Sequence, residues 1–237
     1  MKTKIAIVSN VVATQLMVES LNQRAYGVPG IGLIYGEPGL GKTTATAWLV
    51  NRCNGIYIRA TSGMTLAQLL RQIVKELSGP DIHTKEGMLN YIIESMATSE
   101  NPRTLFIDEA DYLLNDKEAL ESVRDIHDLT SCPVVLIGME AVRRKLQRHK
   151  QFYSRISEWL EFMPTQFEDL QIIVSAVIEP TLTIQDDLLK QLLSDTGGEV
   201  RRIITGLSKV EAFALANGLT SIDLQQWGSK EFFLKKA

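Results

Sequence analysis

The sequence predicts an α/β fold, a five-stranded parallel sheet between helices, followed by a small all-helical C-terminal lid. Three observations predict it. Short apolar runs at 31–35, 56–60, 104–107, 134–137 and 159–163 alternate with segments of helical periodicity. Runs of that kind suit parallel strands buried on both faces. A glycine-rich turn, Gly36 to Gly41, joins the first run directly to a helical segment. From Phe167 onward every long periodicity is helical. The boundary is expected near residue 165, giving an α/β core over 1–165 and a lid over 166–237.

Composition sets the frame. At 237 residues, with 45% hydrophobic and 22% charged residues, the chain can build one sizeable core plus an appendage. A net charge of −3 means that any nucleic-acid contact rests on a local basic patch. Cys53 and Cys132 have neither metal spacing nor a partner framework, as expected of free thiols in a reducing compartment. No apolar run approaches the ~20 residues needed to span a bilayer. The N-terminal apolar run is interrupted by Ser9 and Asn10, which argues against a secretion signal. A cytoplasmic protein with no membrane contact is expected.

In chain order, residues 1–10 read as a short strand or arm. Val12, Leu16, Met17, Leu21 and Tyr26 mark a helix that either packs on the core or covers a ligand. Gly27, Pro29 and Gly30 break it before the first strand, Ile31 to Tyr35. The next residues match G-x-x-x-x-G-K-[ST], with Gly36, Glu37, Pro38, Gly39, Leu40, Gly41, Lys42, Thr43 and Thr44 leading into a helix. A phosphate-binding loop (P-loop) needs that spacing. Glycines let backbone N–H groups turn inward around phosphate oxygens, and the following helix adds its N-terminal partial charge. Lys42 is expected to reach the β- and γ-phosphates of ATP, and the Thr43 hydroxyl to bind Mg²⁺.

Asn54-Gly55 turns into a second strand, Ile56 to Ala60. The stripe Leu66, Leu69, Leu70, Ile73, Val74 and Leu77 predicts a core-facing helix, and another fits Lys85 to Met96, ending before Asn101-Pro102. The third strand runs into Asp108-Glu109, which puts carboxylates at the carboxyl edge of the sheet, where ligands bind. Asp108 is the expected Mg²⁺ holder, and Glu109 the residue that polarises the attacking water. Asp111 suits a helix cap. After a helix over 116–129 and a fourth strand, Val134 to Ile137, comes a single-signed cluster of Arg143, Arg144, Lys145, Arg148, His149 and Lys150. It is either a solvated helix face or a phosphate contact. Thr165 and Glu168 fit a capping box at the entry to the lid. Lid helices are expected to begin near Thr183, Arg202 and Ser221.

The phosphate loop, the Asp108-Glu109 pair, five apolar strands and a helical lid together resemble the AAA+ ATPases. The resemblance implies ATP hydrolysis and homo-oligomers as rings or filaments. It also implies an arginine finger at Arg155, acting on a neighbour's nucleotide, against a surface pairing of Arg155 with Glu158 or Glu161. In Gly198-Glu199-Val200-Arg201-Arg202, Arg201 stands where the family's sensor 2 meets the γ-phosphate, with Arg202 as its alternative. The chain departs from the family at the end of the fourth strand. A polar sensor 1 is usual there, whereas this sequence reads Ile137-Gly138-Met139-Glu140.

Within the family, the fourth-strand ending and the Gly-x-x-Arg lid motif look most like transposition regulators of the Mu phage B protein and TnsC type. That likeness implies binding to double-stranded DNA and a transposase partner. Candidate DNA residues are Arg59, Thr61, His83 and Lys85, with Arg143, Arg144 and Lys145. A helicase loader or initiator, or a secretion ATPase without DNA, shares the core and remains the alternative. A small-molecule kinase is disfavoured by the want of a second substrate pocket.

Overall fold

A computed structural model describes residues 1–2, 4–98 and 103–233. The chain divides into two compact units, one of Ala13–Glu37 and Lys42–Phe162, the other of Met1–Val12, Pro38–Gly41 and Met163–Ala237.

The larger unit holds the parallel sheet. Its strands are β1 (Ile31–Tyr35), β2 (Ile56–Arg59), β3 (Leu105–Asp108), β4 (Val134–Ile137) and β5 (Ile156–Glu161), in the order β2-β3-β4-β1-β5. Pairing starts at Ile31↔Val134, Leu105↔Val134 and Ile56↔Leu105, so the central strands end together at one carboxyl edge. Period-two alternation divides their side chains between two faces. Ile31, Leu33, Ile56, Ile58, Leu105, Ile107, Val134 and Leu136 join the main core, which α3 (Leu66–Glu76), α4 (Lys85–Ala97) and α5 (Lys117–Thr130) complete. On the other face α1 (Ser9–Gln23) buries Met17 and Leu21 against Gly32, where a Cβ would lie 2.2 Å from the Met17 terminal methyl. A larger side chain there would displace the ends of Met17 and Leu21. α1 is thus a packing helix at this point, the simpler of its two expected roles.

Helices begin where short polar side chains satisfy free N–H groups. Thr65 forms a capping box with Gln68 at the start of α3, and Thr84 caps α4. Asn101-Pro102, the expected stop beyond α4, lies outside the described residues. β5 begins three residues before the expected Trp159, because Ile156 pairs with Ile31 of β1. The expected basic helix is a seven-residue α6 (Glu140–Leu146) and a four-residue α7 (Lys150–Tyr153).

His127, near the C-terminus of α5, ties three elements together. Its Nε2 accepts the Gly30 N–H at 3.2 Å, and its Nδ1 lies 2.8 Å from the Cys132 carbonyl, to which it donates. The neutral ring is required for the first bond. Burial lowers its pKa below the ordinary value, against a smaller upward effect of the Cys132 carbonyl. Stability from this group is therefore complete above the unfolded-state value near ~6.5 and is lost as pH falls through it, until the folded form also protonates. Urea unfolding between about pH 7.5 and 5 should show a falling midpoint. His127→Gln, which keeps one donor and one acceptor, should flatten that profile. Equal slopes in both proteins would remove His127 as the cause.

The smaller unit contains α8 (Phe167–Val177), α9 (Asp186–Thr196), α10 (Val200–Ala216) and α11 (Leu224–Trp227) around Leu170, Leu188, Leu192, Ile203, Leu207 and Val210. Trp227 stacks on Phe232 at 5.2 Å and meets Phe213 edge-on at 5.5 Å. A two-residue parallel ladder, β6 (Thr183–Ile184) with β7 (Ser221–Ile222), occupies the positions expected to open two helices. The helices start only after Gln185 and Asp223, the latter in a capping box with Gln226. The capping box expected at Thr165 and Glu168 does not form: Gln166 is the N-cap, with no side-chain bond. Thr165 is buried, and its N–H donates to the Gly198 carbonyl at 3.0 Å. Gly198 has φ +76°, and a Cβ there would stand 2.9 Å from Thr165 backbone atoms. At the N-terminus, the Lys2 N–H donates to the Val177 carbonyl at 2.7 Å, and the Ser9 N–H and hydroxyl both reach Asp169. Among the described residues, no helix is long and apolar enough to cross a membrane.

Candidate nucleotide site

The site forms where β1 and β3 end. After Tyr35 the chain turns through Gly36, Gly39 and Gly41, with φ of +146°, +83° and +91°, conformations that L side chains rarely adopt. Gly36 also faces the Phe162 backbone, 2.9 Å from a Cβ's position. Glu37, Pro38 and Leu40 complete the loop, and α2 (Lys42–Cys53) begins at Lys42. The N–H groups of the loop and of Thr43 and Thr44 are the free donors of a helix N-terminus.

Lys42 is 9% exposed, and its ammonium donates to the Gly36 and Glu37 carbonyls, both at 2.7 Å. Burial lowers its pKa, while Asp108, Glu109, Asp111 and Glu37 act in the opposite direction. A cation held by its own loop can exchange carbonyl oxygens for phosphate oxygens without a large movement.

Asp108, 3% exposed at the end of β3, collects three donors. The Thr43 hydroxyl and the Tyr57 hydroxyl both reach Oδ2 at 2.8 Å, and the Glu109 N–H reaches Oδ1 at 2.8 Å. A hydroxyl and a carboxylate converging in this way are the hard oxygen donors Mg²⁺ prefers. Burial, followed by the bond to Asp108, raises the Tyr57 pKa far above its ordinary value, which keeps the hydroxyl protonated.

Glu109 follows in the left-handed region at φ 54°, ψ 39°. A non-glycine residue there carries about 1–3 kcal/mol of strain, of the kind found at functional sites. The turn sends the Glu109 side chain to the Arg59 guanidinium, 3.3 Å away at the end of β2. Asp111 does not cap the helical turn it lies in; its Oδ2 instead accepts the N–H of Met139, directly before α6, at 2.8 Å. Gly138 permits this contact, since a Cβ there would be 2.8 Å from Asp111 Oδ2. The Asp111–Met139 bond thus occupies the end of β4, where sensor 1 was in question.

The basic candidates have different partners. Arg143, Arg144 and Lys145 are exposed on α6, whose Val142 and Leu146 are buried. Arg143 lies 5.6 Å over the Tyr35 ring and donates to its hydroxyl at 3.3 Å, while Lys145 lies 3.9 Å from Asp111. Lys85 is paired with Glu118 at 2.9 Å, and Thr61 and His83 are exposed in loops.

Arg155 lies directly before β5, at the amino edge of the sheet. It pairs with Asp128, at 3.1 Å and 3.4 Å, rather than with Glu158 or Glu161. Glu158 instead accepts the Ser20 hydroxyl, and Glu161 the Tyr35 hydroxyl. In the smaller unit, the Arg201 N–H donates to the Gly39 carbonyl at 3.1 Å, and Arg202 pairs with Glu199 at 2.7 Å.

Sequence reasoning passed over Tyr57 and Asp111's partner. One signal pointed to Tyr57: a tyrosine in a buried strand needs a partner for its hydroxyl. Nothing in the sequence named Met139 as the donor to Asp111.

A buried loop lysine after β1, a helix-start hydroxyl and a carboxylate at the end of β3, one strand removed from β1, define a P-loop ATPase. The chain belongs to the AAA domain family, whose model matches residues 25–146, just over half of it. No curated protein matches the chain. Among solved structures it resembles the ORC2 protein of Aeropyrum pernix in ADPNP–ADP complexes (TM-score 0.74, 18% identity, 94% of this chain and 68% of that one). It also resembles the ORC1 protein of Aeropyrum pernix in complex with DNA (TM-score 0.65, 14% identity, 92% and 62%). A third likeness is domain III of the replication initiation protein DnaA of Thermotoga maritima (TM-score 0.57, 18% identity, 92% and 88%). The chain spans 62–68% of the length of those two archaeal proteins, and identities at this level speak for a common fold.

Proposed function

We propose that the chain is an ATP-switched homo-oligomer acting on double-stranded DNA, of the replication-initiator or helicase-loader kind. One observation carries the oligomer. Arg155 stands at the amino edge of the sheet, while Lys42, Asp108 and Glu109 stand at the carboxyl edge. A five-residue strand at about 3.3 Å per residue separates the edges by ~16 Å, beyond the reach of an arginine side chain. Arg155 is therefore out of reach of its own chain's nucleotide, which supports a role on a neighbour's nucleotide, with ATP joining two protomers.

In this reading the loop of Gly36 to Thr44 binds the phosphates, with Lys42 on the β- and γ-oxygens. Mg²⁺, held by Thr43 and Asp108, would neutralise developing phosphate charge. Glu109 orients the attacking water and accepts its proton at a carboxylate oxygen. Arg201, in the lid of residues 166–237, senses the γ-phosphate, and residues 1–165 form the nucleotide module. Loss of that phosphate loosens the joint between protomers. The Arg59–Glu109 pair supports a link to DNA, since a phosphate drawing Arg59 away leaves Glu109 free for water. Arg143, Arg144, Lys145, Thr61 and Lys85 are the other proposed DNA contacts. ATP and DNA as ligands imply a cytoplasmic site of action.

The similar structures of initiator proteins, one of them a DNA complex, favour this reading over target selection for a transposase. The latter rests on the Val135–Gly138 strand ending and the Gly198–Arg201 lid motif. Duplex-DNA binding, measured with and without ATP across a salt series, tests the common part. Binding should require ATP, tolerate sequence change and weaken steeply with salt. Binding independent of ATP, or none at low salt, would sink the DNA role. Stimulated ATP turnover on adding a purified replicative helicase supports the initiator or loader reading. Stimulation by a transposase alone supports the other.

A further inference from the structure

We infer that Tyr57 is a positioning residue for the magnesium-binding carboxylate, setting how strongly Mg²⁺ tightens nucleotide binding. β2 lies beside β3 in parallel register, with Tyr57 opposite Phe106 and Arg59 opposite Asp108. Tyr57 and Asp108 therefore share one face of neighbouring strands, two positions apart, and the tyrosine reaches along that face to the carboxylate. Its hydroxyl donates to Asp108 Oδ2 at 2.8 Å, the same oxygen that accepts from the Thr43 hydroxyl at 2.8 Å. The Glu109 N–H holds the other oxygen at 2.8 Å. Three donors from three directions leave the carboxylate a single orientation.

This arrangement has a chemical consequence. When Thr43 turns its hydroxyl oxygen to a cation, its hydrogen bond to Oδ2 is rearranged. The Tyr57 bond persists, because a phenol at the end of a rigid ring cannot swing away as a threonine hydroxyl rotates. Tyr57 thus keeps Oδ2 aimed at the cation position while Thr43 changes partner. Groups in this outer position around metal ligands are worth about 10–100-fold in metal affinity or activity. This inference rests on the magnesium role given above to Thr43 and Asp108.

The test compares the affinity of the full chain for a fluorescent ATP analogue in Mg²⁺ and in EDTA, for wild type, Tyr57→Phe and Asp108→Ala. The magnesium gain, the ratio of the two affinities, is the readout. A merely structural role would lower both affinities together. Tyr57→Phe keeps the ring, and its unliganded melting temperature checks the fold. The expected result is an unchanged affinity in EDTA and a magnesium gain cut by about 10-fold. A full gain in Tyr57→Phe with a lost gain in Asp108→Ala overturns the role of Tyr57 and leaves the magnesium site standing. So does an equal loss of affinity in both buffers. A full gain in Asp108→Ala overturns the magnesium site, and the role of Tyr57 with it.

Discussion

Glu109→Gln is expected to slow ATP turnover by about 10²–10⁴-fold while ATP binding and ATP-dependent assembly persist. The amide keeps the size and hydrogen-bonding reach of the carboxylate but cannot accept a proton from water. Backbone geometry should survive as well, because the φ of 54° at this position is held by the turn and by the Glu109 N–H bond to Asp108, neither of which involves the side chain that changes. The lost pairing with Arg59 is a half-exposed contact of little stability. Single-turnover hydrolysis and analogue binding, measured on the same preparation, separate the two effects. A variant that turns over within a few-fold of wild type would remove Glu109 from the chemistry and shift attention to Asp111 or Glu140.

Lys42→Ala should abolish useful nucleotide binding, weakening it by about 10²-fold or more. Charge-assisted hydrogen bonds contribute about 1.5–3 kcal/mol each, and the upper figure alone corresponds to roughly 10²-fold. The loop would also lose its internal clamp, since the ammonium holds the Gly36 and Glu37 carbonyls in the described structure. The melting temperature gives a clear readout. Ligand at ~100 times its dissociation constant adds ~2.7 kcal/mol to wild-type stability, whereas the variant at the same concentration should gain almost nothing. Retained affinity within a few-fold would mean that backbone N–H groups alone hold the phosphates. Arg155→Ala, by contrast, should spare binding and act on turnover only within the assembly.

Most of the sheet was legible in the sequence, since strands buried on both faces must be continuously apolar and four of the five end beside a turn signal. The phosphate loop was legible for a different reason. Its glycines, lysine and threonine are contiguous, and the conformation they impose is local. The Thr165–Glu168 cap misled because its spacing is also local, whereas the backbone of Thr165 is engaged by Gly198, more than thirty residues away. Likewise, Thr183-Ile184 and Ser221-Ile222 run straight into helical stretches of the sequence, and only their pairing with each other sets them apart from those helices.

By itself the sequence determined the parallel α/β class, the phosphate loop, the two carboxylates after β3 and a helical C-terminal region. Each is a short-range pattern in which neighbours along the chain are neighbours in space. Only the tertiary structure decided that Tyr57 and Arg59 attend Asp108 and Glu109, that Asp111 holds Met139, and that Arg155 lies with Asp128 across the sheet from the phosphate loop. Those partnerships follow from the order β2-β3-β4-β1-β5, which brings β2 beside β3 across a gap of some fifty residues. Strand order is set by how whole helices cover the two faces of the sheet, and no local spacing of residues carries it.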